Sequence, residues 1–220
     1  MTNNQSFSKP FIILANGQYP THPAAVNMLQ EAKTIICTDG SANKLLDNGL
    51  VPHVIIGDMD SVSIDRDSFT GFYIEISDQD NTDLGKTLDW CKTNNLTPLT
   101  VIGASQERED HTLGNLALLA NYSDKLEITF CTDYFTITCH RGERSFTSFK
   151  QQLVSILPAE EIHSITTEGL EFPLNDEPGY EKIFNYVIKN KIFSATTKID
   201  DAVRNSDLIL LSLPTPMDEN

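Results

Sequence analysis

TIICTDGSANKLLDNG, residues 34–49, decides the fold class. Its first five residues are apolar or β-branched and read as a short buried strand. Asp39-Gly40 then breaks the strand. Ser41 stands where a helix N-cap is expected, and Gly49 where the glycine after a helix C-terminus is expected. A strand, a polar turn and a short helix follow one another within sixteen residues.

The same alternation runs outward on both sides. FIILAN (11–16) reads as a strand and AAVNMLQEA (24–32) as a helix. HVIIGDMDS (53–61) and FYIEIS (72–77) read as further strands. NTDLGKTLDWCKTNN (81–95) reads as a helix, with Leu84, Leu88 and Cys91 spaced i, i+4, i+7. LTVIGA (99–104), DHTLGNLALLANYS (110–123) and LEITFCTD (126–133) continue the series as strand, helix and strand. Strands alternating with helices predict an α/β fold with a doubly wound, mostly parallel sheet, Rossmann-like, over residues 1–135. After that the texture changes. FTITCHRGERSFTSF, QQLVSILP, IHSITTEGLEFPL, KIFSATTKI and DLILLSL are short, β-branched or aromatic, and separated by turn residues. They predict a C-terminal all-β sandwich domain over residues 136–220.

Composition narrows the function. With 220 residues and 40% apolar content the chain is long enough for one large domain or two modest ones. Acidic residues outnumber basic ones 31 to 16, for a net charge of −15. That field repels a polyanion, so no nucleic-acid partner is expected. The opening MTNNQSFSKPFIILANG lacks a basic n-region, and its apolar run is too short for a signal peptide or a membrane span. No membrane partner and a cytoplasmic location are therefore expected. The four cysteines form no CxxC pair and are expected to be reduced and buried, and the five histidines have no zinc-ligand spacing.

In an open α/β sheet, ligands bind beyond the carboxyl ends of the strands. Polar residues recur there: Asn16 and Gly17, Asp39 and Gly40, Gly57 to Ser61, Gly103 to Asp110. If the backbone stays extended past Ile56, Asp58 and Asp60 point to the same side. Carboxylate oxygens so placed suit a hard cation such as Mg²⁺; a solvated acidic turn is the competing reading. DNTDLGKT (80–87) imitates the end of a phosphate-binding P-loop, but Asp80 stands where its first glycine belongs. Asp83 fits better in the first turn of a helix, with Lys86 on the same face. In GASQEREDHTLGNL (103–116) a helix N-terminus and Arg108 suit phosphate, while Asp110 and His111 also have ordinary readings as cap and surface residue.

The ordered set LANG, DGSANKLLDNG, IIGDMDS, DQDNTDLGK, GASQEREDHTLGNL and ITTEGLEFPLND resembles the thiamin pyrophosphokinase family over residues 12–176. The resemblance implies a nucleotide domain followed by a β-sandwich, a homodimer with shared active sites, and pyrophosphoryl transfer from Mg²⁺-bound ATP to the hydroxyl of thiamin. It implies Asp58, Asp60 and Asp83 as catalytic and metal residues. Asn16, Asp39, Lys86, Arg108, Asp110, His111 and Asn115 fall to ATP, and Gln79, Thr167 and Phe172 to thiamin. A late Ser-Asn motif of the family has no Asn here; FSATTKIDD (193–201) offers Ser194, Thr196 and Thr197 hydroxyls instead. Two other readings compete. DMDSV resembles the motif of haloacid-dehalogenase-like phosphatases, with Asp58 as nucleophile, although that family carries it after the first strand rather than the third. A non-catalytic nucleotide-binding sensor is the other.

Overall fold

A computed structural model describes residues 7–64, 69–78, 80–105, 108–160, 164–174 and the backbone of 177–178. In chain order the elements are β1 (Phe11–Leu14), α1 (Pro23–Glu31), β2 (Thr34–Thr38), α2 (Ser41–Asp47), β3 (Val54–Gly57), β4 (Phe72–Glu75), α3 (Asp83–Thr93), β5 (Leu99–Ile102), α4 (Glu109–Tyr122), β6 (Ile128–Cys131), β7 (Thr136–Thr138), β8 (Ser164–Ile165) and β9 (Glu177–Pro178). The first seven strands form one sheet in the order β4-β3-β2-β1-β5-β6-β7. All neighbours are parallel except β6 and β7. Strand order reverses between β1 and β5, the arrangement of a doubly wound sheet.

Period 2 sorts the strand residues onto two faces. Ile13, Ile36, Val54, Ile56, Leu99 and Val101 pack with Leu84, Leu88 and Cys91 of α3 and Leu119 of α4. Ile12, Leu14, Ile35, Cys37, Ile55 and Ile102 pack with Ala25 and Leu29 of α1 and Ala42 and Leu45 of α2. Both faces are thus covered by helices, which is why these strands read as apolar runs rather than alternating ones. The four cysteines are unbridged thiols, and burial pushes Cys37 and Cys91 up to about 12.

The expected end of α2 is found. Gly49 sits at φ +77, its N–H donates to the Leu46 carbonyl at 2.8 Å, and Leu50 N–H donates to the Leu45 carbonyl at 3.2 Å. These two bonds are those of a Schellman cap, which needs a left-handed residue that glycine supplies without a Cβ clash. The expected start is corrected. Ser41 does not cap α2; its buried hydroxyl reaches the carbonyls of Leu14 and Thr38, both at 2.6 Å. It therefore ties the ends of β1 and β2 to the helix, and Gly40 takes the cap position without a side-chain bond.

By contacts the chain divides into residues 1–152 and 153–220. β7, which lies past residue 135, completes the edge of the sheet in the first unit. Between 139 and 160 the described chain contains no strand, and the second unit contributes the antiparallel pair β8–β9. FSATTKIDD and DLILLSL lie outside the described residues.

His53 yields a pH test of this fold. Its Nδ1 accepts the Ile35 N–H at 3.1 Å, so this nitrogen must be unprotonated, and burial lowers its pKa. A histidine whose folded pKa lies below its unfolded value of about 6.5 stabilises fully above that value and loses the contribution as pH falls through the folded pKa. Unfolding free energy should therefore fall, as pH drops below about 6.5, by a component that His53→Gln removes. Denaturant titrations of both proteins at several pH values measure it; parallel pH profiles would contradict the assignment.

Candidate active site

Because β1 to β6 run in parallel, their carboxyl ends share one edge of the sheet. Asp39 follows β2 directly, and Gly57 closes β3 beside it. A Cβ on Gly57 would stand 2.6 Å from the Cβ of Asp39, so only glycine lets that carboxylate lie across the end of β3. The strand does not continue extended past Gly57, as the period-2 argument supposed. Met59 turns to φ 68, a left-handed conformation that a non-glycine residue adopts at a cost on the order of 1 kcal/mol. Its side chain packs on the α1–α2 face of the core, which holds the turn in place. This kink gathers the carboxylates. Oxygens of Asp39, Asp58 and Asp60 all lie within 4.8 Å of one another.

The three are not equivalent. Asp39 is buried, Asp58 half-buried and Asp60 exposed. Ser61 donates its N–H to Asp39 Oδ2 at 3.3 Å and its hydroxyl to Asp60 Oδ1 at 2.7 Å. Asp39 Oδ1 is buried and accepts no hydrogen bond among the described residues. Burial first, and then the neighbouring Asp58, Asp83 and Asp60 carboxyls, push Asp39 up to about 6, against the opposing pull of the Ser61 N–H. Like charges at this spacing repel by a few kcal/mol per pair before solvent screening. An all-oxygen donor set around an orphaned buried oxygen fits a hard divalent cation such as Mg²⁺.

Asp83 occupies the first turn of α3, behind the N-cap Thr82, whose Oγ1 accepts the Gly85 N–H at 3.1 Å. Lys86 is buried on the same face, and its ammonium meets Asp83 Oδ1 at 3.0 Å. Arg108 precedes α4 and grips Asp110 through Nη2–Oδ2 at 2.5 Å and Nε–Oδ1 at 3.1 Å. Both partners are exposed, and such a pair opens readily for a stronger anion. His111 is exposed on α4. Asn115 donates to the Ala104 carbonyl at 2.8 Å and so braces the loop after β5. Asn16 lies against Gly40, and its carbonyl receives the Lys44 ammonium at 3.0 Å. Lys44, Ser61, Gly57 and Met59 were not singled out from sequence as separate contributors; Gly57 before an acidic pair was the available signal. In the second unit Thr167 and Leu174 close a turn with bonds of 2.9 Å, and Phe172 within it is 81% exposed rather than part of a strand's core. Gln79 lies outside the described residues.

Residues 25–130, which contain this whole carboxylate and cation set, match the family model described as thiamin pyrophosphokinase, catalytic domain. Over that stretch the chain is similar to the catalytic domain of the thiamin pyrophosphokinase family. It is 34% identical to thiamin pyrophosphokinase 1 of Caenorhabditis elegans over 109 residues, spanning 46% of this chain and 45% of that protein. It is 27% identical to the thiamine pyrophosphokinase of Bacillus subtilis (strain 168) over 178 residues, or 76% of this chain and 83% of that one. The crystal structure of thiamine pyrophosphokinase from Bacillus subtilis aligns with a TM-score of 0.48 at 26% identity, covering 55% of this chain and 59% of that one. The chain thus spans less than half the length of the C. elegans relative. Within the thiamin pyrophosphokinase family match, DMDSV follows the third strand, one place in from the sheet edge, not the first strand as the phosphatase reading needs.

Asp39 supplies a test that does not depend on turnover. A carboxyl whose folded pKa is raised from about 4 to about 6 costs stability as pH rises through that window, and the cost persists above it. Asp39→Asn should raise the metal-free melting temperature at pH 7.5, leave it unchanged near pH 3.5, and shrink the stabilisation given by added Mg²⁺. Differential scanning fluorimetry with and without Mg²⁺ measures all three; a lowered metal-free Tm at pH 7.5 would show instead that the carboxylate is a structural acceptor.

Proposed function

We propose that this chain transfers a pyrophosphoryl group from Mg²⁺-bound ATP to the hydroxyl of thiamin, yielding thiamin diphosphate and AMP. The observation that carries the reading is the convergence of Asp39, Asp58 and Asp60 at the carboxyl edge of the sheet, inside the family match and next to the N-terminus of the helix bearing buried Lys86. The similarity to that catalytic domain supports placing the chemistry at that edge.

In the reaction the thiamin hydroxyl oxygen bonds to the β-phosphorus, and the bond from that phosphorus to the α–β bridging oxygen breaks. AMP leaves with that electron pair, and the hydroxyl proton is released. Little covalent work falls to the protein, so positioning and charge carry the rate. Asp39, Asp58 and Asp60 would hold the cation, which when bound neutralises charge on the phosphate oxygens. Asp83 keeps the Lys86 ammonium at a fixed place on α3, where it meets phosphate as a point charge. Arg108 exchanges the exposed Asp110 carboxylate for a phosphate fork. The strongly acidic chain favours thiamin, itself a cation. The region from residue 136 is read as a β-sandwich that receives thiamin through Gln79 of the first region together with Thr167 and Phe172, and that forms a homodimer; the location is read as cytoplasmic.

Incubation with thiamin, ATP and Mg²⁺ should give AMP and thiamin diphosphate in equal amounts, and Asp58→Asn or Asp60→Asn should lower turnover on the order of 100-fold or more with the fold retained. Chromatography of the products decides. Inorganic phosphate as product would support the phosphatase reading, and binding of nucleotide without turnover a sensor.

A mixing experiment tests the shared site. Inactive Asp60→Asn chains and Phe172→Ala chains are combined and their subunits exchanged. If each site uses one region from either chain, a hybrid has one doubly damaged and one intact site, and activity should rise well above the sum of the parents. Hybrids demonstrated by mass spectrometry without such a rise would mean that each chain completes its own site.

A further inference from the structure

At the point where strand order reverses, the carboxyl ends of β1, β5 and β6 enclose a recess lined by Gln18, Gly103, Ser105, Thr132 and Asp133, among others. Its floor is backbone. Gly17 N–H donates to the Gly103 carbonyl at 2.8 Å and Gln18 N–H to the Ser105 carbonyl at 3.3 Å. Gly103 stands at φ +73, and a Cβ there would meet the Ala15 carbonyl oxygen at 2.6 Å. The wall is set by Asp133, whose carboxylate accepts the N–H groups of Thr21 and His22, each at 3.0 Å, and the Thr21 hydroxyl at 2.5 Å. That clamp pins the β1–α1 loop to the β6–β7 turn across the recess.

The turn itself is stiff and carries two aromatic rings. Thr132 Oγ1 accepts the N–H groups of Tyr134 at 3.1 Å and Phe135 at 3.0 Å, while Thr132 N–H donates to the Phe135 carbonyl at 2.9 Å. Tyr134 and Phe135 are 76% and 62% exposed, with ring centroids 6.1 Å apart. Neighbouring large apolar side chains held in solvent on a rigid turn mark a contact surface for a ligand. The place suits one ligand part in particular. β5 lies three strand spacings from β3 in the sheet, about 14 Å at the usual separation. An extended ribose–triphosphate arm spans a distance of that order.

We propose that the exposed Tyr134–Phe135 turn, beside this recess, stacks the purine base of the nucleotide whose phosphates meet the Asp39–Asp58–Asp60 cluster, with Asp133 as the positioning residue that fixes the turn. The inference rests on the pyrophosphoryl-transfer reading and adds the base-contacting residues to it. Base–aromatic stacking is sequence-tolerant and strong enough that its removal weakens binding roughly tenfold or more.

Calorimetry with the full chain and Mg²⁺ tests it, using ATP and inorganic tripolyphosphate as the two probes. Wild type should bind ATP more tightly than tripolyphosphate. The double variant Tyr134→Ala, Phe135→Ala should lose roughly tenfold in ATP affinity and stay within about twofold for tripolyphosphate. Tyr134→Phe should retain ATP affinity, which separates stacking from loss of structure. Asp133→Ala should weaken ATP and spare tripolyphosphate. Equal losses for both probes, or none, would overturn the base seat. Wild type binding tripolyphosphate as tightly as ATP would also overturn it while leaving pyrophosphoryl transfer intact. If wild type binds neither probe, the phosphate assignment fails and the base seat falls with it.

Discussion

A buried carboxylate oxygen with no hydrogen-bond donor favours a proton or a cation beside it. Asp39 Oδ1 is in that position, with two further carboxylates beside it. Solvation of Asp60 and the Ser61 N–H relieve only part of the repulsion. The site is therefore assembled at a cost that a divalent cation would offset, and the surrounding structure is what keeps the carboxylates from drifting apart. Gly57 removes the side chain that would push Asp39 away, and Met59 spends core packing on a left-handed turn.

The fold serves this arrangement by bringing six strand ends to one edge. Ser41 links the ends of β1 and β2, and Lys44 crosses from α2 to the carbonyls of Asn16 and Gly17 at 3.0 and 2.9 Å. Polar side chains that sequence reasoning assigns to caps or solvent are thus used to brace the loops on that edge. Behind them, two apolar layers bury both faces of the short strands.

The alternation of strands and helices was legible because each apolar run is closed by glycine, asparagine or aspartate, and Gly49 announced its cap correctly. Ser41 misled, since a serine before a helical run scores as a cap whether or not its hydroxyl finds nearer strand carbonyls. Asp58 and Asp60 do converge, but through Met59, whose positive φ no propensity reveals because methionine rarely adopts it. The strands expected between 139 and 160 rested on β-branched and aromatic composition, and that preference is realised only on a half-buried pleated surface. Phe146, Phe149, Leu153 and Leu157 are exposed instead.

The contact between Gly17 and Gly103 has a geometric consequence. It lies where the β1–β4 half of the sheet joins the β5–β7 half, and it is a meeting of backbones with no side chain to compress or rotate. The separation between groups on the two halves is therefore set by ladder spacing, as in a ruler, and not by the length of the connecting segments. Insertions in the surface loops between β3 and α3, or after β6, can vary without changing the reach that any bridging molecule must have.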